Sequence, residues 1–322
     1  IGRLRLQRQW AGWIEETLNA AKDPQSSRYC HLLNRHGQMK RYLHGTRAIE
    51  EALAIHFKAL ALARALPDPV QETQAHFQLG EDFRISRQIN KAIDHATAAV
   101  ELAEQNEVPT GLLASTYGSL GLIYMDASQP DLTEINLRKS GALFKEAELW
   151  IEFGLSQLNR GLNFARQDRL AQAMTCYLEA FEIFTDCHSK WHLLLINANI
   201  ASIHYRRGEF KEAEERFRAM DTSYMLANNY LRQLAMKTHG LGDVAHAMGH
   251  PQKALPYLNE AVERWEALND RFLLAYTLAT REAVQLDLGN VSAAEEDFRE
   301  ATRLIATNPD HAEAKQAQAV LD

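Results

Sequence analysis

The chain has 322 residues, 46% of them hydrophobic and 24% charged, with a formal charge of −7, as in an ordinary folded, soluble protein. No run of about 18 apolar residues occurs, which excludes a membrane-spanning helix, and the opening IGRLRLQRQWAGW lacks the apolar core of a secretory signal. Three cysteines, Cys30, Cys176 and Cys187, with no CxxC spacing, exclude a disulfide framework and fit a reducing, cytoplasmic compartment.

Only eight prolines occur, and Leu, Ala, Glu, Gln and Arg dominate, so the chain reads as all-α. Leu6, Trp10, Ile14, Leu18 and Ala21 form an apolar stripe that predicts an N-terminal helix within residues 1–24, closed by Asp23-Pro24. That helix could be the second half of an earlier repeat. Residues 1–50 carry nine Lys and Arg against four Asp and Glu, a balance of +5, and leave −12 to the rest. Such a basic end could touch nucleic acid or another acidic partner; the plainer reading is a solvated surface. The first residue is Ile and not Met, so the chain is expected to be a processed product or a piece of a longer one.

From Leu79 to Ala99 the sequence reads LGEDFRISRQINKAIDHATAA. Gly80 is followed by Phe83, Ala92, Ala96 and Ala99, at offsets of 3, 12, 16 and 19. The same ladder runs from Gly161 (Phe164, Ala173, Tyr177, Ala180), Ala201 (His204, Ala213, Phe217, Met220), Gly242 (Ala245, Ala254, Leu258, Ala261) and Glu282 (Gln285, Ala294, Phe298, Ala301). From Gly121 with Tyr124 it continues only after about four extra residues, at Leu137, Gly141 and Phe144. From Gly37 its second half, around Ala52–Leu62, is also displaced. The seven anchors, 37, 80, 121, 161, 201, 242 and 282, recur every 40 to 43 residues. Each unit is then two helices joined by a short turn, with small residues where the axes approach and larger ones filling the gap. Such pairs cannot bury both faces alone and must stack. Asn308-Pro309 predicts the start of a capping helix over residues 309–322.

This ladder resembles the tetratricopeptide repeat over residues 29–305. The resemblance implies an α-solenoid, a right-handed superhelix of about seven helix pairs plus flanking helices. The common unit is about 34 residues; the extra length here lies between hairpins and implies about two added helical turns. HEAT repeats share the longer period but not the ladder. Long units of this kind are similar to those of sensor arms in bacterial signalling ATPases, including maltose-regulon-type activators, of kinesin light chains and of bacterial peptide-sensing regulators.

The resemblance also implies a concave groove lined by first helices. Carried over, its face holds His31, Asn34, Gln38, Arg41, Gln74, Phe77, Glu81 and Arg84 in the first two units. In the middle it holds Leu122, Met125, Leu155, Leu158, Leu162, Leu195, Ala198, Ser202 and Tyr205, and toward the end Met236, His239, Asp243, His246, Tyr276 and Leu286. The apolar centre points to a bound helix, peptide or apolar ligand; alternatively, longer helices turn these residues into core between repeats. The clamp that chaperone adaptors of the family use is absent. Gly118 and Leu122 stand where Lys and Asn are needed before Asn159, and Leu195 and Asn199 where Lys and Arg are needed after it.

No motif carries chemistry. GLGDVA, Gly240 to Ala245, matches a dinucleotide fingerprint but falls mid-helix on an anchor. Cys187, His188 and His192, and His246 with His250, have metal-like spacing without further ligands. No phosphate-binding loop or GxSxG occurs, so no cofactor, metal or catalytic residue is assigned and the chain is not expected to be an enzyme. The expected function is recognition of a protein, peptide or ligand, as the sensor or partner-recognition arm of a larger bacterial-type signalling or regulatory protein, with effector domains on the same full-length chain. A free-standing scaffold of a multiprotein complex is the alternative, and an enzyme a third reading.

Overall fold

A glycine facing a large side chain across a helix pair brings two axes together, and this contact recurs along the chain. The computed structural model describes residues 2–21, 23–43, 46–306 and 312–321, and among these every regular element is a helix. In order they are α1 (Gly2–Asn19), α2 (Ser27–Arg41), α3 (Thr46–Ala65), α4 (Pro69–Ile85), α5 (Ile89–Gln105), α6 (Thr110–Asp126), α7 (Pro130–Glu146), α8 (Trp150–Arg166) and α9 (Leu170–Asp186). There follow α10 (Lys190–Arg206), α11 (Phe210–Arg218), α12 (Thr222–Ala227), α13 (Leu231–Ala247), α14 (Pro251–Leu268), α15 (Arg271–Asp287), α16 (Val291–Ile305) and α17 (Ala312–Leu321). The Asn308-Pro309 helix start lies outside the described residues.

The chain divides into two compact units, residues 1–183 and 184–322. All seven anchors lie in the first helix of a pair, and the architecture is an α-solenoid of hairpins stacked in sequence. Within the first unit α2 packs on α4, α4 on α6 and α6 on α8, whereas α3, α5 and α7 do not meet among the described residues. In the second unit α10 packs on α13 and α13 on α15, while α11, α14 and α16 do not meet one another among the described residues. First helices therefore line the inner side of the bend in each unit.

The turns keep one register. The residue seven after the anchor has positive φ in six pairs: Arg87, Ser128, Asp168, Gly208, Gly249 and Gly289. In each, the next N–H donates back to the carbonyl three after the anchor, as Gln88 N to Phe83 O (2.9 Å) and His250 N to Ala245 O (2.9 Å). This left-handed closure supplies donors to carbonyls that the helix end leaves unpaired.

The packing also corrects two details of the ladder. No extra residues interrupt the third pair: Thr133, Leu137 and Ser140 fill the three slots and are all buried. A Cβ on Gly121 would lie 2.9 Å from Leu137 Cγ. Thr and Ser hid the pattern because they are small enough for slots where other copies carry Ala. In the fifth pair the second helix is not continuous, since Asp221 Oδ1 accepts from Tyr224 N (2.9 Å) and restarts the helix as α12. Met220 stays buried in the break. Lys237 of α13 closes the gap, its Nζ donating to Met220 O (2.6 Å) and Thr222 Oγ1 (2.9 Å).

The first pair is displaced, by three residues. His56 lies over Gly37, and Ala52 and Ala59 flank it, all fully buried. This imidazole needs polar partners, and Asp82 Oδ2 (2.5 Å) and Asn34 O (3.1 Å) face its two nitrogens. Arg41 joins from α2, donating Nη1 to Asp82 Oδ1 (2.9 Å) and to Gln78 O (3.2 Å), and Nη2 to Gln78 Oε1 (2.7 Å). The network ties the first two pairs together inside the core.

A second polar cluster joins α3, α4 and α5. Arg64 Nη2 donates to His76 Nε2 (3.2 Å), so His76 is the neutral tautomer whose Nδ1–H donates to His95 Nδ1 (3.0 Å). Burial, His95 and Arg64 together push the His76 pKa down to about 4, against the weaker pull of Glu72. His95 is also lowered, by burial first, with Arg64 lowering and Asp94 raising it. Between pH 6.5 and 4 the unfolded chain binds the proton that the folded His76 refuses. Stability is therefore complete at neutral pH and falls by about 1–2 kcal/mol as pH drops through this window. In thermal melts from pH 7.5 to 4, His76→Gln should flatten that part of the profile; an unchanged profile would contradict the assignment.

Candidate ligand-binding faces

Each unit exposes an inner face made by its first helices. In the first unit Gln38, Phe77, Arg84, Leu122, Leu155, Leu158 and Leu162 are all half-buried. The four leucines are thus neither sealed in core nor freely solvated. Arg84 forms a rung between repeats: Nη2 donates to Glu81 Oε2 (2.8 Å) and Nη1 to Asp126 Oδ2 (3.2 Å) of the next first helix. Ser119 Oγ donates to the other Glu81 oxygen at 2.5 Å. Gln38 Oε1 accepts from Arg35 Nη1 (3.2 Å).

Two residues expected on this face are not on it. Asn34 is 1% exposed and Arg41 6%. Both belong to the buried network around His56 and Asp82. Their register is that of the face, but the displaced first pair puts a histidine in the core, and the polar partners it requires come from the neighbouring first helices.

In the second unit Leu195, Tyr205 and Tyr276 are half-buried on α10 and α15, and His239 is buried, 9% exposed, on α13 between them in sequence. The His239 and Tyr276 rings lie 4.8 Å apart. Thr277 Oγ1 donates to Leu273 O (2.8 Å), so its oxygen accepts from His239 Nδ1–H (2.9 Å). His239 Nε2 approaches Asp243 Oδ2 to 2.9 Å. Neither Nε2 nor Asp243 Oδ1 has an aligned hydrogen-bond partner, although both atoms are buried. Burial, then Asp243, hold the Tyr205 phenol above its usual range, and burial, Asp243 and Tyr205 do the same for Tyr276. Both hydroxyls keep their protons at neutral pH.

The other motifs resolve into packing. Gly240 and Gly242 lie within α13, facing Phe217 and Leu258, not a phosphate. His192 stacks on Phe184 at 4.7 Å and meets Ser189 Oγ at 2.7 Å. His246 Nε2 meets Asp287 Oδ2 at 2.8 Å, a rung like that of Arg84. Among the described residues no group of three or more His, Cys, Asp or Glu is arranged to hold a metal ion. None of their helices is long and apolar enough to cross a membrane. The side chains of Arg3 and Arg5 in the basic end lie outside the described residues.

Sequence reading missed the pairing of Arg41 with Asp82, the His76–His95 contact and the Lys237 plug. The usable signal was spacing, because rungs join residues about one repeat apart: 41 with 82, 84 with 126 and 246 with 287.

No family model matches the sequence, and no curated protein matches it. Solved structures do. The apo form of RapI aligns at a TM-score of 0.68 and 15% identity, over 95% of this chain and 80% of that one. A signal transduction ATPase with numerous domains from Pyrococcus horikoshii, which carries a tetratricopeptide-repeat sensor, aligns at 0.66 and 12%, over 99% of this chain but 48% of its own. The Rap conjugation gene regulator of plasmid pLS20, in complex with the Phr* peptide, aligns at 0.58 and 14%, over 98% and 94%. The fold is therefore a tetratricopeptide-like array. At these identities the likeness speaks for fold alone.

Proposed function

We propose that this chain is the recognition arm of a larger signalling or regulatory protein and that it holds a short peptide on the inner faces of its first helices. The observation that carries this reading is the run of half-buried Leu122, Leu155, Leu158 and Leu162 along α6 and α8. An apolar strip of this kind gains free energy when covered, at about 25 cal/mol per Å². Two likenesses support the reading: one neighbour carries a repeat array as a sensor, and another was solved with a peptide. Binding would favour one curvature of the array and so bias whatever the array is joined to.

The test is a thermal-shift screen of the purified chain against pools of random short peptides. Binding pools should raise the melting temperature by several degrees, and Leu158→Glu should abolish the rise while leaving the unliganded melting temperature within a degree or two. If no pool shifts the transition, the reading fails.

A further inference from the structure

Three second helices of the first unit are each held between two first helices: α3 between α2 and α4, α5 between α4 and α6, and α7 between α6 and α8. By contrast, α1 packs on α2 alone among the described residues. Helix α7 shows which side chains serve which neighbour. Leu137 faces Gly121 and Ser140 faces Gly118, both of α6. Gly141 meets Phe153 and Ser156 of α8, and the Lys145 ammonium lies 5.5 Å from the Phe153 ring. A residue and its successor, about 100° apart around the helix, thus turn to the preceding and the following first helix.

The same order is present in α1. Ile14 and Leu18 have the spacing of Gly141 and Lys145, and they join the core with Cys30 and Leu33 of α2. Trp10 and Trp13 then stand where Leu137 and Ser140 stand in α7, on the side that a preceding first helix would cover. Both are solvated, 56% and 61% exposed. Two indoles one turn apart are a large apolar surface to leave in water. In other pairs Tyr177 and Leu258 hold the Leu137 position, and each faces a glycine.

We propose that Trp10 and Trp13 are the docking face for one more first helix, supplied by the segment of the full-length chain that precedes Ile1. Its chemistry is that of α6, an apolar face with two small residues three apart. One of them, sixteen residues before Trp10, faces the indole as Gly121 faces Leu137 and Gly161 faces Tyr177. The other faces Trp13 as Gly118 faces Ser140, and must be small because Trp13 is larger than serine. The inference goes beyond the peptide-binding reading and does not depend on it, since the face belongs to the stack and not to the inner side.

The 322-residue chain is compared with the same chain extended by the upstream codons of its gene. About 30 codons suffice for one helix and its turn. Both proteins are labelled with 5-fluorotryptophan. Trp10→Phe and Trp13→Phe assign the two 19F signals, and the shift on exchanging H2O for D2O reads their contact with solvent. Both signals should respond fully in the shorter chain and lose most of the response in the extended one, whose melting temperature should rise by several degrees. Trp10→Glu should cancel that rise while leaving the shorter chain within a degree or two. Signals that stay solvated in the extended chain overturn the proposal. So does a gene in which only a start codon precedes Ile1, or an upstream sequence with no helical stretch placing Gly or Ala sixteen residues before Trp10. Protection that appears in the shorter chain with rising concentration, and is lost in Trp10→Glu, also overturns it, because a second copy then covers the face.

Discussion

Asp82→Ala is expected to destabilise the first unit by about 3–5 kcal/mol, the range for breaking a buried ion pair from one side. Asp82 is fully buried and is the acceptor for both Arg41 Nη1 and His56 Nδ1. Its removal strands a guanidinium that is 6% exposed and an imidazole with no exposure. The carbonyl and amide of Gln78 satisfy part of Arg41 but cannot neutralise it. Scanning calorimetry of the full chain should show one transition moving down by many degrees while the other holds. The companion experiment is Arg41→Met, His56→Leu and Asp82→Leu together, which removes charge and acceptor at once and should cost far less than the single change. A single variant within about 1 kcal/mol of the parent would show that the network contributes little.

The second large effect is expected at an anchor. Gly161→Ala adds one methyl that should raise helix propensity by about 1 kcal/mol. Its Cβ would instead stand 2.4 Å from Tyr177 Cε1, and Tyr177 is 1% exposed and cannot swing clear. A net loss of about 2–4 kcal/mol follows, in line with overpacking of a tight core. Gly80→Ala is the control. There the new Cβ meets Ala96 Cβ at 3.3 Å, Ala96 N at 3.4 Å and Ala92 O at 3.5 Å, contacts that a small shift relieves. Its effect should lie within about 1 kcal/mol of zero, the propensity gain opposing the contact. Urea unfolding of both variants checks the pair, and equal effects would refute the role given to the residue facing the anchor. Close approach does not need an alanine facing the anchor. At Gly121 the added Cβ would come 3.2 Å from Leu137 N, nearer than the 3.4 Å from Ala96 N at Gly80.

Glu282 shows the same rule from the other side. It is the anchor of the last pair, and the residue sixteen later, Phe298, is 44% exposed. The corresponding Tyr177 and Leu258 are buried over glycines. A long anchor side chain denies the aromatic its seat, so a shallow cleft lined by Glu282, Leu286 and Phe298 remains. The substitution is plain in the sequence; its consequence needs two helices in contact.

The helical class and a solenoid of about seven helix pairs could be read from the amino-acid order, because glycine and alanine at fixed offsets are a local requirement of close helix packing. The groove residues were legible only as register. Register says which face a side chain occupies, and it put Leu155, Leu158, Tyr205 and Tyr276 on the inner faces. It does not say whether the next repeat supplies a partner. Arg41 and Asn34 share that register and are core, because a histidine displaced by three residues demanded polar neighbours there. The break between α11 and α12 was likewise hidden, since Met220 keeps its slot while the backbone around it restarts under an Asp221 cap and a lysine from the next helix.

What this sequence determined by itself is the helical class and the stacking of helix pairs, set by contacts between residues fewer than about 25 apart. What only the tertiary structure decided is the fate of each polar residue on the inner side. Charge satisfaction is a property of neighbours about forty residues away in the chain, and only stacking brings those neighbours within hydrogen-bonding distance. That is why Asp82 emerges as a core ion whose donors come from two other helices, whereas Asp243, on an equivalent helix, pairs within its own helix with His239.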